Sequence, residues 1–294
     1  MTGAGTVMQG KTCVLTGGTS GIGRETAIAL AGLGARLALV CRDRLRGEET
    51  AAEIAARTGN RDLVLHLADL SAQRDVWRVA GELLATHPQI HVLVNNAGVV
   101  NLRRTLTEDG IESVLATNHL APFQLTLLLL DRLRASAPAR IVTVSSEAHR
   151  WGRLDLDDLG NARRYRAMQV YGQSKLANIL FTYELARRLA GTGVTANCLH
   201  PGAVATRLGH NNGRIATALS RLLLPFFRTP AKGAETSIWL ASAPEVADVS
   251  GRYFVDREPR RSSPASHDET TARRLWDASL QLTGLDGSVA PAIA

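Results

Sequence analysis

Residues 11–24, Lys-Thr-Cys-Val-Leu-Thr-Gly-Gly-Thr-Ser-Gly-Ile-Gly-Arg, decide the fold. The first six, 11–16, form an apolar, partly β-branched run that reads as a strand. A helical pattern follows over 22–33. Between them lie Gly17, Gly21 and Gly23. Glycine is needed where a chain turns tightly and passes close to other backbone or to a bound group. A helix starting near Ile22 points free N–H groups and the positive end of its dipole into that turn. An anion, above all a pyrophosphate, suits such a place. The alternative is a glycine-rich turn with no ligand, but a strand running into a glycine turn and then a helix favours the ligand.

Outward from this turn, strand-like and helix-like stretches alternate. Apolar runs at 36–41, 62–67, 90–94, 140–145 and 194–199 read as strands buried on both faces. Helical patterns at 22–33, 44–57, 72–86, 118–135 and 170–190 separate them. The alternation predicts one α/β domain with a parallel, doubly wound sheet, right-handed crossovers and a ligand edge at the strand C-termini. From about Arg260 the sequence turns polar and then ends in Gly, Ala and Pro. Residues 1–259 are therefore expected to form the domain, and 260–294 a loosely held extension.

Composition narrows the function classes. The 294 residues are 45% apolar and 21% charged, an ordinary globular balance. The net charge is +7, carried by arginine; Lys11, Lys175 and Lys232 are the only lysines. The arginines come in scattered pairs, such as Arg103-Arg104 and Arg187-Arg188, without interleaved aromatics. That argues against a nucleic-acid groove. Cys13, Cys41 and Cys198 are few and far apart, as reduced thiols in a cytoplasmic protein would be. No signal peptide is expected, and no run approaches the roughly 20 apolar residues of a membrane span. No metal-ligand spacing stands out.

The reacting groups are sought at the strand ends. Ser145-Ser146 closes the fifth strand, and Tyr171 and Lys175 follow one helical turn apart, on one face. With four Tyr and three Lys in 294 residues, a chance Tyr-x-x-x-Lys has odds of about 0.04. A phenol ionises near pH 10. A neighbouring ammonium is expected to lower that value and let Tyr171 act as general acid or base. Ser146 would hydrogen-bond a substrate oxygen. Strand alternation puts Ser145 and Ser146 on opposite faces, so only one can do this. At the end of the second strand, Arg42 precedes Asp43. An arginine there accommodates a ribose 2′-phosphate and an acid binds a 2′-hydroxyl, which predicts NADP(H) over NAD(H). The competing reading pairs Arg42 with Asp43 on the surface. Asp69, or Ser71, reads as a cap of the helix that follows.

Thr16-Gly-x-x-x-Gly21-Ile22-Gly23, Asn95-Asn96-Ala97-Gly98, Tyr171-x-x-x-Lys175 and Pro201-Gly202-x-Val204-x-Thr206 together resemble the short-chain dehydrogenase/reductase family, in its single-domain branch. The resemblance covers about residues 9–256. It implies a Rossmann fold with a seven-stranded parallel sheet and an oxidoreductase (EC 1.1.1.-) that moves a hydride between NADP(H) and an alcohol/carbonyl pair. It makes Asn118, Ser146, Tyr171 and Lys175 catalytic, and selects Ser146 over Ser145. It assigns the cofactor to Thr16, Gly17, Thr19, Ser20, Gly21, Ile22, Gly23, Arg42, Asp69, Leu70, Asn96, Ala97, Gly98, Tyr171, Lys175, Pro201, Gly202, Val204 and Thr206, and implies that Asp69 faces an adenine instead of capping a helix. The 25 residues from Ser146 to Tyr171, longer than in most single-domain members, are similar to those of the retinol dehydrogenase and WW-domain oxidoreductase group. The N-terminal anchor of the retinol enzymes and WW modules are not seen. A segment over about 203–230, with Ile215, Leu219 and the apolar run 222–227, is expected either to cover a hydrophobic substrate or simply to pack on the body of the domain. The alternatives are a polyketide or 3-oxoacyl-type ketoreductase and a non-catalytic NADP-binding sensor; the four catalytic residues together disfavour the sensor. A homodimer or tetramer, paired through the helices of Asn118 and Tyr171, is the expected assembly.

Overall fold

The computed structural model describes residues 7–204 and 228–286. Eight strands form one sheet in the order β3-β2-β1-β4-β5-β6-β7-β8. They are β1 (Thr12–Thr16), β2 (Arg36–Cys41), β3 (Leu63–Leu67), β4 (Val92–Asn95), β5 (Ala139–Val144), β6 (Val194–His200), β7 (Tyr253–Val255) and β8 (Glu258–Pro259). The first seven pair in parallel, and β8 adds to the edge antiparallel. The sheet therefore has one strand more than expected. The extra strand is two residues long, contains a proline, and follows β7 through Asp256-Arg257, both at positive φ. A strand that short leaves no periodicity to read.

The chain order reverses direction between β1 and β4. That is the switch point of a doubly wound sheet, where the crevice for a ligand opens. Helices α1 (Gly21–Gly32) and α2 (Arg44–Thr58) cover one face, joined later by α8 (Pro230–Ser242). On the other face lie α3 (Gln73–Thr86), α5 (Ala121–Leu128), α6 (Leu130–Ala135), α7 (Ala167–Arg188) and α9 (Glu269–Thr283). The short α4 (Ser113–Leu115) leads through a π-helical turn, Ala116–Leu120, into α5.

The expectation of a loosely held tail is corrected for 260–286. Asp268 caps α9 by accepting the Thr271 N–H, and Gly284 closes it in the left-handed conformation. Ala272, Leu275, Trp276 and Ser279 make one buried face, spaced as a helix requires. Trp276 is buried between Phe123 and Phe181, with ring centroids 5.1 and 5.9 Å away, and the Arg188 guanidinium lies 4.2 Å from its ring. The two helices that the resemblance assigns to self-association, α5 and α7, thus carry α9 of the same chain.

His66, His87, His91, His119, His149 and His200 are all held below the usual histidine range, first of all by burial. His119, wholly buried, falls from 6.5 to about 4. The unfolded chain then binds more protons than the folded one between those values. The stability this neutral ring contributes is complete above pH 6.5 and is lost as pH falls towards 4, about 3 kcal/mol for His119 alone. Urea unfolding at pH 7 and at pH values near 4.5 is expected to show a steep loss on acidification; a pH-independent midpoint would contradict the neutral packing of these rings.

Candidate active site

The turn between β1 and α1 is built by backbone proximity. Gly17 and Gly21 have φ of +69° and +52°. A β-carbon on Gly23 would lie 2.2 Å from the Gly17 carbonyl oxygen and 2.4 Å from Asn96 Nδ2. One on Gly17 would meet Ala97 Cα at 2.9 Å. Asn96 holds the turn by donating its side-chain amide to the Thr16 and Gly17 carbonyls, at 2.9 and 3.1 Å. Thr16 is buried. Its hydroxyl donates to the Val94 carbonyl at 3.4 Å and accepts the Asn96 and Ala97 N–H groups, both at 3.1 Å. That hydroxyl is fully used, so Thr16 shapes the turn and offers no side-chain contact to a ligand. Ser20 caps nothing with its side chain, and the first turn of α1 holds no acid. The N-terminal N–H groups of α1 are left to meet an anion, so the cradle fits a pyrophosphate.

At the end of β2, Asp43 caps α2 by accepting the Arg46 N–H at 3.2 Å. The acid that could have met a ribose hydroxyl is committed to a helix. Arg42 instead reaches towards solvent and approaches Asp69 loosely, Nη1 to Oδ2 at 3.8 Å. Its pairing with Asp43, the competing expectation, is not formed. Asp69 folds the next turn, accepting from the Ser71 N–H and hydroxyl at 2.9 and 2.8 Å. It therefore builds the approach to α3 and leaves Oδ2 towards Arg42. Leu70 packs against the core under that turn.

Beyond β5, Ser145 and Ser146 separate as alternation requires. Ser145 is buried and donates its hydroxyl to the Lys175 carbonyl at 2.8 Å, pinning α7 to the strand. Ser146 accepts the Ala148 N–H at 3.2 Å, and its hydroxyl faces the Tyr171 phenol. Lys175 Nζ lies 5.6 Å from the Tyr171 ring centroid and donates to the Val144 carbonyl at 3.0 Å. A β-carbon on Gly98 would sit 3.4 Å from both Lys175 Nζ and Asn118 Oδ1, so glycine leaves room over those groups.

Asn118 lies in the π-helical turn, a form that marks functional sites in helices. Its side chain accepts the Val99 N–H at 2.7 Å and donates to the Val99 carbonyl and the Ser174 hydroxyl, both at 3.0 Å. Ser174 in turn donates to the Tyr171 carbonyl at 2.7 Å. Both N–H groups of the Asn118 amide are thereby used, while its oxygen keeps one acceptor position.

One electrostatic expectation is corrected. Burial pushes the Tyr171 phenol up to about 12, the Ser146 hydrogen bond opposing it only in part. Burial also brings Lys175 down to about 8. Loss of solvent outweighs the neighbouring ammonium, so the free protein holds a protonated phenol rather than an activated phenolate.

The 147–168 insertion reaches the site through two glycines. A β-carbon on Gly152 would lie 2.3 Å from the Gly172 carbonyl oxygen, and one on Gly172 2.5 Å from that of Ala148. This crossing seats the insertion on α7 beside Tyr171. After β6, Gly202 has a φ of +84° and carries Arg228 against it, Cδ 2.7 Å from a notional β-carbon; Arg228 pairs with Asp256. Val204 packs on α8 at Gly233 together with Ile22. Pro201 lies in the same strand-end turn. Thr206 and the 205–227 part of the expected cover over 203–230 lie outside the described residues. Among the described residues no helix is long and apolar enough to cross a membrane, and no cluster of three or more His, Cys, Asp or Glu could hold a metal. Sequence reasoning missed Ser174, His149 and His200, whose partners are backbone and side-chain groups that only the fold brings near. His200 accepts the Glu147 N–H at 3.1 Å.

The profile of the short chain dehydrogenase family matches residues 11–215. The chain is 45% identical to retinol dehydrogenase 14 of Homo sapiens, over 95% of this chain and 88% of that one. It is 45% identical to retinol dehydrogenase 12 of Mus musculus, over 94% and 87%. A crystal structure of an uncharacterized protein from Mycobacterium Paratuberculosis superposes with a TM-score of 0.77 at 35% identity, covering 96% of each chain. A short chain dehydrogenase from Burkholderia cenocepacia J2315 in complex with NADP gives 0.67 at 27% identity, over 85% of this chain and 97% of that one. With Tyr171, Lys175, Ser146 and Asn118 gathered past the sheet edge and a glycine cradle at the switch point, the chain belongs to the short-chain dehydrogenase/reductase family of oxidoreductases, in the retinol dehydrogenase group.

Proposed function

We propose that this protein is an NADPH-dependent reductase of apolar aldehydes or ketones, working in reverse as an alcohol dehydrogenase. The observation that carries the reading is the meeting of the Tyr171 phenol with the Ser146 hydroxyl, beside Lys175. When bound, the nicotinamide supplies or accepts the hydride. The protein's part is to hold the carbonyl oxygen and move a proton. Ala148 N–H occupies one acceptor position on Ser146, and the Ser146 proton, which faces the Tyr171 oxygen in the free protein, turns to a substrate oxygen that enters beside it. Tyr171, protonated through the neutral range, gives its proton to the alkoxide as it forms. The Lys175 ammonium steadies the phenolate left behind. For oxidation the same atoms run backwards.

The NADP preference is supported by Arg42 standing free of Asp43, and by the NADP complex of the Burkholderia cenocepacia protein. The apolar substrate is supported by relatives named as retinol dehydrogenases and by the apolar residues 222–227. Arg42→Ala removes a charged donor worth about 1.5–3 kcal/mol to a phosphate. The KM for NADPH is expected to rise about ten- to hundredfold, with the KM for NADH unchanged. Equal effects on both cofactors in steady-state assays would remove Arg42 from phosphate recognition.

A further inference from the structure

The segment 260–286 meets the site at two buried histidines, each beside a residue of the proposed machinery. His149 follows Ser146 by one turn and is fully buried. Its Nδ1 lies 2.7 Å from the Ser146 carbonyl oxygen, and its Nε2 lies 3.0 Å from the Ser263 N–H nitrogen. A carbonyl can only accept and a backbone N–H can only donate. The ring is therefore neutral, protonated at Nδ1, and its two bonds fix its orientation. His119 follows Asn118 directly. Its Nε2 lies 2.9 Å from Ser279 Oγ, and that hydroxyl spends its own proton on the Leu275 carbonyl at 2.7 Å.

Ser146 needs such support. The sheet's last ladder bond beside it is Ser145 N–H to the Leu199 carbonyl, at 2.7 Å. Ser146 lies past the end of β5 in extended backbone, φ −159° and ψ 156°. Its carbonyl accepts only from His149, at the backbone N–H and at the ring, among the hydrogen bonds of the described residues. Ring and backbone of one residue thus hold this peptide, and the ring is anchored from the far side by Ser263. Further ties bind the same stretch: Arg150 to the Arg261 carbonyl at 3.1 Å, and Tyr183 to Ser262 at 2.8 Å.

We propose that the C-terminal segment is a positioning element of the active site: Ser263, through His149, sets the orientation of the Ser146 peptide and so of its hydroxyl. The inference rests on the reading of Ser146 as the group that holds the substrate oxygen. A residue that acts this way should alter turnover, leaving cofactor binding alone.

Ser263→Pro isolates the link. Ser263 already has φ −62° and ψ 153°, which suit a proline that precedes Pro264, and its side-chain hydroxyl has no partner. The substitution keeps φ and ψ at 263 but replaces the N–H with a ring Cδ aimed at His149 Nε2, so it breaks the bond and displaces the imidazole. The expected result is a fall in kcat of about tenfold, with the Kd for NADPH within about twofold of the parent. His149→Phe, which leaves 263 untouched, removes both bonds at similar volume and is expected to lower kcat about a hundredfold with the same NADPH affinity. Measured beside Tyr171→Phe, the outcomes separate. Inactive Tyr171→Phe with parental kcat in either positioning variant overturns this inference alone. Unchanged turnover in Tyr171→Phe overturns it together with the proposed function.

Discussion

Tyr171→Phe is expected to lower kcat for carbonyl reduction by about 10²–10⁴-fold while NADPH binding stays near the parent value. The phenyl ring keeps the packing and removes one oxygen, the one that faces Ser146. That oxygen is the only proton source among the grouped side chains whose value burial pushes up, to about 12, so it stays loaded at neutral pH. Its partner Lys175 is pulled the other way, to about 8. The ammonium that stabilises the departing charge is present below that value and absent above it. For reduction, kcat/KM should therefore hold on the acid side and fall as pH rises through about 8. A profile flat from pH 7 to 10, or a Tyr171→Phe enzyme with parental kcat, would contradict this division of labour.

Gly23→Ala is expected to abolish measurable NADPH binding, with a loss in stability of about 4 kcal/mol or more. One methyl would be placed 2.2 Å from the Gly17 carbonyl oxygen and 2.4 Å from Asn96 Nδ2. Neither neighbour can give way cheaply. The Gly17 backbone is fixed at positive φ, and Asn96 is held by its bonds to the Thr16 and Gly17 carbonyls. Opening this contact moves the β1–α1 turn away from the Asn96–Ala97 turn, and the N-terminus of α1 moves with it. Calorimetric titration with NADPH, beside thermal unfolding, measures both effects. An affinity within tenfold of the parent would show that the cradle is not where the pyrophosphate sits.

The inner strands β1, β2 and β5 were legible because nearly every residue in them is buried, whereas β3, at the sheet edge, is buried only at His66. β2 is read over Arg36–Cys41 and found there, and β1, β3 and β5 shift by a residue at one or both ends. Such runs carry their own signature. The glycine turn was legible for the same reason as it is vulnerable to Gly23→Ala: a contact that excludes a β-carbon writes itself into the sequence. Helix α9 was not read, although Ala272, Leu275, Trp276 and Ser279 carry its period. Its polar outer face and the Gly/Ala/Pro end masked that stripe. In the site, Tyr171 and Lys175 announce themselves through their spacing. His149 does not, since its partner Ser263 is 114 residues away and the bond is to backbone. The rise of the phenol's pKa was missed because spacing shows the neighbouring charge and not the loss of solvent.

We propose above that hydride passes on this chain between NADPH and a carbonyl group. NADPH carrying deuterium at both hydrogens of the transferring carbon is supplied together with a series of apolar aldehydes and ketones. The alcohol formed and the NADPH consumed are then quantified by mass and absorbance. One deuterium in each alcohol molecule formed and an equal molar loss of NADPH are expected. NADPH that binds tightly yet stays unconsumed across the series, or product without deuterium, would contradict it.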